Sequence, residues 1–260
     1  MVAVGPNGLR WRQMLEIKTV TKSFYGVNAI DKVSFTVEKG SITSLIGPNG
    51  AGKTTLINMI SGVLSPTSGD IHFQGQSLTG LRPHQVASLG IRRSFQTVRL
   101  FNGLSVRENL LIGRMRTLLG MSWMQMLLPM HLGDRDGRRR ADEILSLLEL
   151  SDYADDLATD LPYGIQRRVE IARALMGRPE FALLDEPAAG MNEGETEQLV
   201  EDVKKIRDTG ITVLLVEHDM SMVMSVSDKI VVLNFGQKIS EGSPDFVQRD
   251  PQVIASYLGS

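Results

Sequence analysis

The chain has 260 residues, enough for one large α/β domain or two small lobes. Its net charge of −2 gives no electrostatic basis for nucleic-acid binding, and its hydrophobic content of 42% is too low for a protein made mostly of membrane spans. The absence of cysteine excludes disulfide bonds and cysteine-ligated metal sites. We expect residues 1–13 to form an N-terminal extension, because their mixed composition does not match a signal peptide.

Short apolar segments predict the first strands of a sheet. Residues 15–20 and 33–37 alternate or are mainly apolar, and 70–75 has the look of a strand that ends in a turn. The continuous apolar run 42–46 indicates a buried strand, and 54–60 has the composition of a helix. A strand, a glycine-rich turn and a helix are therefore predicted in direct succession.

This turn matches G-x-x-x-x-G-K-[ST], the pattern of a phosphate-binding loop. Backbone N–H groups of such a loop surround the phosphates, glycine permits their close approach, and the following helix directs its positive end at the same anion. We expect Lys53 to add a positive charge and Thr54 to offer a hydroxyl ligand to Mg²⁺. The candidate nucleotide-binding residues are Gly47, Pro48, Asn49, Gly50, Ala51, Gly52, Lys53, Thr54 and Thr55.

The middle of the chain is predicted to be mainly helical, from about residue 103 to 176. Within it, 138–150 carries apolar residues at helical spacing. Continuous apolar runs at 181–184, 212–216 and 229–233 then predict a return to buried parallel strands. This order predicts an α/β lobe that is interrupted by a helical insert and then resumed.

Two of the later strands end in residues suited to nucleotide hydrolysis. Asp185 and Glu186 follow the run 181–184 at the carboxyl end of a predicted parallel strand, where ligands of open α/β sheets bind. We expect Asp185 to hold Mg²⁺, directly or through water, and Glu186 to act as general base on an attacking water. His218 follows the next strand and can hydrogen-bond a γ-phosphate and orient that water. Gln96 could reach Mg²⁺ or the water with its side chain.

Taken in order, these motifs resemble those of the ATP-binding cassette (ABC) transporter ATPases, over nearly the whole chain from about Leu15. In that family a phosphate-binding loop, a glutamine loop, a signature, an acidic strand end called Walker B, a D-loop and a switch histidine follow one another. The matching positions here are 47–55, Gln96, 161–166, 184–187, 189–192 and His218. The resemblance identifies Lys53, Gln96, Glu186 and His218 as candidate catalytic residues, and Thr54, Gln96 and Asp185 as candidate Mg²⁺ ligands.

The resemblance also implies a fold. It is a RecA-like P-loop NTPase core, with a mostly parallel sheet and an antiparallel β subdomain, and an inserted α-helical subdomain. The ATPase domain would span 14–260, with 14–95 and 179–260 in the core lobe and 97–178 in the helical subdomain. Phe24 resembles the aromatic residue that stacks on the adenine of ATP, with Tyr25 as the alternative.

The signature departs from the usual L-S-G-G-Q sequence. Pro162 has no hydroxyl to offer a γ-phosphate, and Ile165 stands where glutamine or glutamate is usual. Asn192 likewise takes the usual aspartate position of the D-loop. In the family, the signature of one subunit completes the ATP site of another, so the resemblance implies a homodimer or heterodimer. The implied contacts to the partner subunit's ATP are Pro162, Tyr163, Gly164, Ile165 and Gln166.

Several segments resemble the ATPases that drive uptake of branched-chain amino acids, among them the signature, the sequence DEPAAGMN from residue 185 and the ending VIASYLG. The Met-rich stretch 115–132 resembles the longer of that system's two ATPases, and its apolar part is shorter than the ~20 residues of a spanning helix. The implied partners are permease subunits and, indirectly, a solute-binding protein, at the cytoplasmic face of the membrane. Related ATPases serve urea, short amides, aromatic acids or lipid export, so these solutes stay open.

Other classes of P-loop protein agree less well with the sequence. A GTPase would need an Asn-Lys-x-Asp motif, and the chain has none. Non-transport cassette proteins of repair or translation usually carry two cassettes, long coiled coils or zinc elements. A regulatory cassette without activity should have lost Lys53, Glu186 or His218, and all three are present. Small-molecule kinases have P-loops but would not account for the signature and the D-loop.

Overall fold

The structure is a computed structural model, and it describes residues 13–94, 100–118 and 135–258. Gln96, residues 1–12 of the predicted extension 1–13 and most of the Met-rich stretch 115–132 lie outside the described residues. Within those three ranges, every helix is too short or too polar to cross a membrane.

The described residues form strands and helices in an alternating order. The strands are β1 (Gln13–Phe24), β2 (Val27–Glu38), β3 (Ile42–Ile46), β4 (Ser68–Phe73), β5 (Gln76–Ser77), β6 (Ile91–Arg93), β7 (Phe181–Asp185), β8 (Thr212–Val216), β9 (Lys229–Asn234) and β10 (Gln237–Gly242). The helices are α1 (Lys53–Ile60), α2 (Pro83–Ser88), α3 (Val106–Leu118), α4 (Arg135–Leu147), α5 (Tyr163–Leu175), α6 (Glu193–Asp208), α7 (Met220–Val226), α8 (Pro244–Gln248) and α9 (Pro251–Leu258).

The predicted buried strands lie together in a six-stranded sheet of order β10-β9-β3-β8-β7-β6. All neighbours in this sheet are parallel except β10 and β9, which are antiparallel. Strands β3, β7 and β8 are buried along their whole length, which accounts for their uninterrupted apolar sequences. The predicted α/β fold class, with a mostly parallel sheet, is confirmed.

A second, antiparallel sheet has the order β2-β1-β4-β5. The first two strands extend well beyond the predicted segments 15–20 and 33–37, because they pair as a hairpin from Gln13 and Glu38 to Phe24 and Val27. Cross-strand hydrogen bonds thus extend both strands into polar segments that show no apolar pattern. This sheet corresponds to the antiparallel part that the family resemblance implied.

The strand expected over 70–75, ending in a turn, is β4, which ends at Phe73 before Gln74 and Gly75 turn the chain with positive φ angles of 51° and 83°. The bounds of one helix differ from the sequence prediction. The helix expected over 138–150 is α4, which begins and ends three residues earlier. Glu149 turns the chain with a φ of 52°, and the Leu150 N–H donates to the Leu145 carbonyl at 2.8 Å. The apolar spacing therefore continues past the end of the helix.

The chain divides into two compact units. The first takes the chain up to Arg93, together with Glu180–Glu186 and the chain from Ile206 onward. Its core contains buried side chains from both sheets and α1, including an edge-to-face pair of Phe73 and Phe181 with ring centroids 5.8 Å apart.

The second unit takes Ser94–Pro179 and Pro187–Lys205. It is helical and buries its own apolar residues, among them Leu110, Ile144, Leu148, Val169 and Leu199. The domain boundaries given above from the family resemblance stay a prediction.

Candidate functional site

Three of the predicted motifs lie at the carboxyl ends of neighbouring parallel strands. Strand β8 lies between β3 and β7, and its last residue, Val216, pairs with both of them. The loop 47–55 follows β3, Glu186 follows β7, and His218 follows β8 with one residue between. The Glu186 N–H donates to the Val216 carbonyl at 2.8 Å. The sheet therefore brings the loop, the acidic pair and the histidine to one edge, where ligands of such sheets bind.

The glycines of the loop 47–55 meet different demands. Gly47 and Gly52 have φ angles of 152° and 100°, which L side chains rarely adopt. A Cβ atom on Gly47 would lie 2.1 Å from the Leu233 carbonyl oxygen, and one on Gly52 would lie 2.5 Å from the Ala29 carbonyl oxygen. Gly50 has a φ of 80°, but a Cβ atom there would meet nothing within 4 Å. Two of these glycines thus allow the loop to pack against neighbouring backbone.

Lys53, the first residue of α1, is buried inside the loop. Its Nζ donates to the carbonyls of Gly47 at 2.6 Å and Pro48 at 3.1 Å. Burial lowers the pKa of Lys53 below its usual value of 10.5, and the Glu186 and Asp185 carboxylates oppose this by raising it. The ammonium group and the acidic pair therefore share one electrostatic environment, as a site for a metal–phosphate complex requires.

Asp185 is buried at the end of β7 and forms an ion pair with Arg93. The Arg93 Nη2 lies 2.7 Å from the Asp185 Oδ2, and the two side chains are 20% and 3% exposed. Sequence reasoning missed Arg93, because nothing in its local sequence indicates a partner 92 positions away. Only the order of the parallel strands, which places β6 beside β7, could have indicated that Arg93 lies near Asp185.

The residues expected to hold Mg²⁺ suit the chemistry of that ion. Mg²⁺ usually takes one or two carboxylates from the protein and completes its shell with phosphate oxygens and water. Asp185 offers a buried carboxylate and Thr54 an exposed first-turn hydroxyl. In the described ranges there is no group of three or more His, Cys, Asp or Glu residues that could hold a metal by themselves. Asp185 and Thr54 therefore fit Mg²⁺ as protein ligands, with the rest of its shell left to phosphate oxygens and water.

Glu186 has an unusual backbone conformation, with a φ of 47°. Such left-handed geometry is uncommon for a residue other than glycine, and it occurs preferentially at functional sites. Its N–H is held by the neighbouring strand, and its carboxylate acts on the pKa of Lys53. Glu186 therefore combines a left-handed backbone at the end of β7 with a carboxylate that acts on Lys53 in the loop.

His218 is 62% exposed and is positioned by the residue before it. The Glu217 side chain is fully buried, and its Oε2 accepts hydrogen bonds from the N–H groups of His218 at 2.9 Å and Asp219 at 3.4 Å. Asp219 in turn caps α7 by accepting from the Met222 N–H at 3.1 Å. Sequence reasoning missed Glu217, whose buried carboxylate fixes the backbone of the exposed histidine.

The two candidate adenine-stacking residues both lie at the turn between β1 and β2. Phe24 is 39% exposed and has the Lys22 ammonium 5.1 Å from its ring centroid. Tyr25 is fully exposed, with a φ of 48°. An aromatic face is available on either residue, so Phe24 stays a prediction.

The signature forms the start of α5 in the helical unit. Pro162 is the N-cap residue, and the Gln166 N–H donates to its carbonyl at 3.0 Å. The Gln166 side-chain nitrogen donates to the carbonyls of Thr159 at 3.0 Å and Leu161 at 2.8 Å. Gln166 thus holds the loop before α5 within its own subunit. Its contact to a partner's ATP stays a prediction.

The predicted D-loop ends at the N-terminus of α6. Asn192 Oδ1 accepts from the Glu195 N–H at 3.0 Å, and Glu195 Oε2 accepts from the Asn192 N–H at 3.0 Å. This is a capping box, in which asparagine is as good as aspartate. Glu195 also packs against Gly164, where a Cβ atom would lie 2.5 Å from the carboxylate. The D-loop and the signature are therefore joined by contacts within one unit, and Glu195 is a further residue that sequence reasoning missed.

Comparison with protein families gives two matches. The family described as ABC transporter matches residues 30–189, which contain the loop 47–55 and the pair Asp185 and Glu186. A second family, described as branched-chain amino acid ATP-binding cassette transporter, matches residues 237–260. Together they account for most of the chain.

Among characterised relatives, the high-affinity branched-chain amino acid transport ATP-binding protein BraF of Pseudomonas aeruginosa is 42% identical over 252 residues, covering 95% of this chain and 98% of the relative. LivG of Escherichia coli, described in the same words, is 40% identical over 249 residues with the same coverage.

Among solved structures, the ABC transporter cassette MJ1267 in its ADP conformation has a TM-score of 0.85 and 35% identity, covering 96% of this chain and all of that one. A dimeric cassette, MJ0796 bound to ADP and Pi, has a TM-score of 0.73 and 27% identity, covering 89% and 99%.

Proposed function

The chain belongs to the ABC transporter ATPase family, and we propose that it is the ATP-hydrolysing subunit of an importer for branched-chain or related hydrophobic amino acids. The observation that carries the proposal is the arrangement of the loop 47–55, the pair Asp185 and Glu186, and His218 at the ends of three adjacent parallel strands. The names of BraF and LivG and the match at 237–260 support the solute class.

The loop 47–55 and Lys53 bind the phosphates of ATP. The Lys53 ammonium donates hydrogen bonds to two loop carbonyls. Phosphate oxygens would be stronger acceptors for it, because they are charged. Thr54 and Asp185 would hold Mg²⁺, which when bound neutralises charge on the β- and γ-phosphates. Gln96, outside the described residues, is a further proposed ligand. Phe24 is the proposed platform for the adenine ring.

Glu186 is proposed to act as general base. It accepts a proton from the attacking water while the water oxygen forms a bond to the γ-phosphorus and the bond to the ADP oxygen breaks. His218 orients that water and donates a hydrogen bond to the γ-phosphate. The buried Glu217 carboxylate keeps the backbone under His218 in place, so the imidazole needs little rearrangement.

A second ATPase subunit is proposed to complete the site. The segment Pro162, Tyr163, Gly164, Ile165 and Gln166 would then meet the partner subunit's ATP. The backbone N–H groups of Tyr163, Gly164 and Ile165 lie at the start of α5, where the helix dipole favours an anion. The dimeric structure of the MJ0796 cassette supports this arrangement. The dimer would work with permease subunits at the cytoplasmic face of the membrane, and indirectly with a solute-binding protein.

Substitution of Glu186 tests the catalytic proposal. We expect Glu186→Gln to lower ATP turnover by about 100-fold or more, because the amide cannot accept the proton. Binding of ATP should persist, since the loop 47–55 is intact, and trapped ATP should raise the mass in solution from monomer to dimer. Turnover is measured by phosphate release and mass by light scattering.

Glu197→Gln, an exposed change of the same chemistry on α6, is the matched control and should turn over ATP like the wild type. If Glu186→Gln hydrolyses ATP at the wild-type rate and stays monomeric with ATP, the catalytic assignment is wrong.

A further inference from the structure

Arg93 links the carboxylate of Asp185 to helix α1. One end of its guanidinium, Nη2, is 2.7 Å from the Asp185 Oδ2. The other terminal nitrogen, Nη1, donates to the Asn58 Oδ1 at 2.7 Å and to the Ser61 Oγ at 3.3 Å. A single planar group therefore spans from the end of β7 to the side of α1, a geometry that arginine provides and lysine does not.

The face of α1 that Arg93 reaches also carries a proposed Mg²⁺ ligand. Thr54 and Asn58 are four residues apart in the helix, so their side chains lie on the same face one turn apart. Arg93 thus connects Asp185 to the helix that carries Thr54. The two proposed ligands come from distant parts of the sequence and meet only through the fold.

Arg93 and Asp185 are both held firmly by the structure around them. Arg93 is the last residue of β6 and pairs with Leu183 of β7 in the parallel sheet. The Asp185 side chain is almost completely buried, so its bond to Arg93 has little competition from water. This ion pair restricts the orientation of the buried carboxylate.

We propose that Arg93 is a positioning residue of the Mg²⁺ site, which orients Asp185 and holds it in register with the Thr54 face of α1. The inference rests on the proposed function. Residues that orient metal ligands in this way contribute to metal affinity without touching the metal, and their loss typically weakens it about 10- to 100-fold.

The test measures ADP binding with and without Mg²⁺ by calorimetry. In Arg93→Gln, we expect the gain in ADP affinity that Mg²⁺ gives to fall about tenfold or more, with ADP affinity in EDTA within about twofold of wild type. Arg93→Lys should resemble Arg93→Gln, because one ammonium cannot span both partners. Wild-type Mg²⁺ dependence in Arg93→Lys would overturn the linking role, and so would tighter Mg²⁺ binding in Arg93→Gln.

Arg92→Gln is the matched control, since Arg92 is the neighbouring residue of β6 and its guanidinium donates to the Ala87 carbonyl. Its Mg²⁺ dependence should equal that of wild type. A wild-type chain that gains no ADP affinity from Mg²⁺ would contradict the proposed function itself. A wild-type gain that Arg93→Gln retains in full would contradict only the role of Arg93.

Asn58→Ala gives a second measurement should Arg93→Gln fold poorly. It removes the α1 end of the link and leaves the ion pair with Asp185 intact. We expect a smaller loss in the same direction, and a double variant of Asn58→Ala with Arg93→Lys no weaker in Mg²⁺ dependence than Arg93→Lys alone. Additive losses in the double variant would show that Asn58 and Arg93 act separately and would overturn the proposal.

Discussion

Residues of the nucleotide loop are constrained by their neighbours as well as by the phosphate. Lys53 is held by two loop carbonyls, and Gly47 lies directly against the backbone of Leu233. The motif G-x-x-x-x-G-K-[ST] is usually explained by the ligand alone. In this chain, part of its glycine requirement comes from the packing of the loop in the folded protein.

Gly47→Ala should therefore destabilise the protein more than Gly50→Ala. Both changes place a side chain at positive φ, which costs about 1–2 kcal/mol. Gly47→Ala adds overlap with the Leu233 carbonyl oxygen, which we expect to cost about 1–3 kcal/mol more. Urea unfolding of the two variants measures the difference in the free energy of unfolding. Equal losses would mean that the loop relaxes away from Leu233 without cost.

At the scale of elements, side-chain contacts hold α5 and α6 together inside the helical unit. Arg168 of α5 and Asp202 of α6 form a buried ion pair with 2.6 Å between Nε and Oδ2. Burial raises the pKa of Asp202, and the Arg168 guanidinium opposes that shift. The capping box of Asn192 and Glu195 fixes the N-terminal end of α6. The signature and the D-loop are therefore expected to move together.

Removal of one partner of this pair should be costly. Asp202→Asn leaves the Arg168 charge buried without its carboxylate, and we expect a loss of about 3–5 kcal/mol in the free energy of unfolding. Arg168→Met combined with Asp202→Leu should recover most of that loss, since two apolar side chains need no desolvation of charge.

The control for this prediction is Glu201→Gln, which breaks an exposed pair with Lys204 in the same helix. It should cost less than about 0.5 kcal/mol. Chemical denaturation followed by circular dichroism measures all three variants. Similar losses for Asp202→Asn and Glu201→Gln would contradict the importance of burial.

At the scale of the whole molecule, the proposed function uses the signature of a second subunit to complete the ATP site. The loop, the acidic pair and His218 belong to one unit, and the signature belongs to the other. Ile165 stands in the first turn of α5, where a polar side chain is usual in the family. The apolar side chain there offers no hydrogen bond to a partner's nucleotide.

Ile165→Gln should therefore strengthen ATP-driven dimerisation. Introduced into Glu186→Gln to prevent hydrolysis, it should lower the dissociation constant of the dimer at a given ATP concentration by about tenfold, the effect of one added hydrogen bond to a charged group. Ile254→Gln, the same change at an exposed site on α9, is the control. Analytical ultracentrifugation gives the dimer fraction, and an unchanged value for Ile165→Gln would refute this role of position 165.

Sequence reasoning succeeded where a feature depends on near neighbours in the chain. The strands at 42–46 and 212–216 were predicted with their observed bounds, because full burial leaves an uninterrupted apolar run. Strand β6 was missed, since its three residues include two arginines and become a strand only by pairing with β7. The end of α4 was misplaced because apolar spacing continues through the turn at Glu149.

The sequence by itself determined the fold class, the family and the residues of the loop 47–55, because each depends on a local pattern of residue types. Only the tertiary structure decided how Asp185 is held. Arg93 and Asp185 are 92 positions apart, and their ion pair exists because β6 and β7 are adjacent parallel strands. Burial, which gives that contact its strength, depends on the packed sheet and the helix α1 beside it.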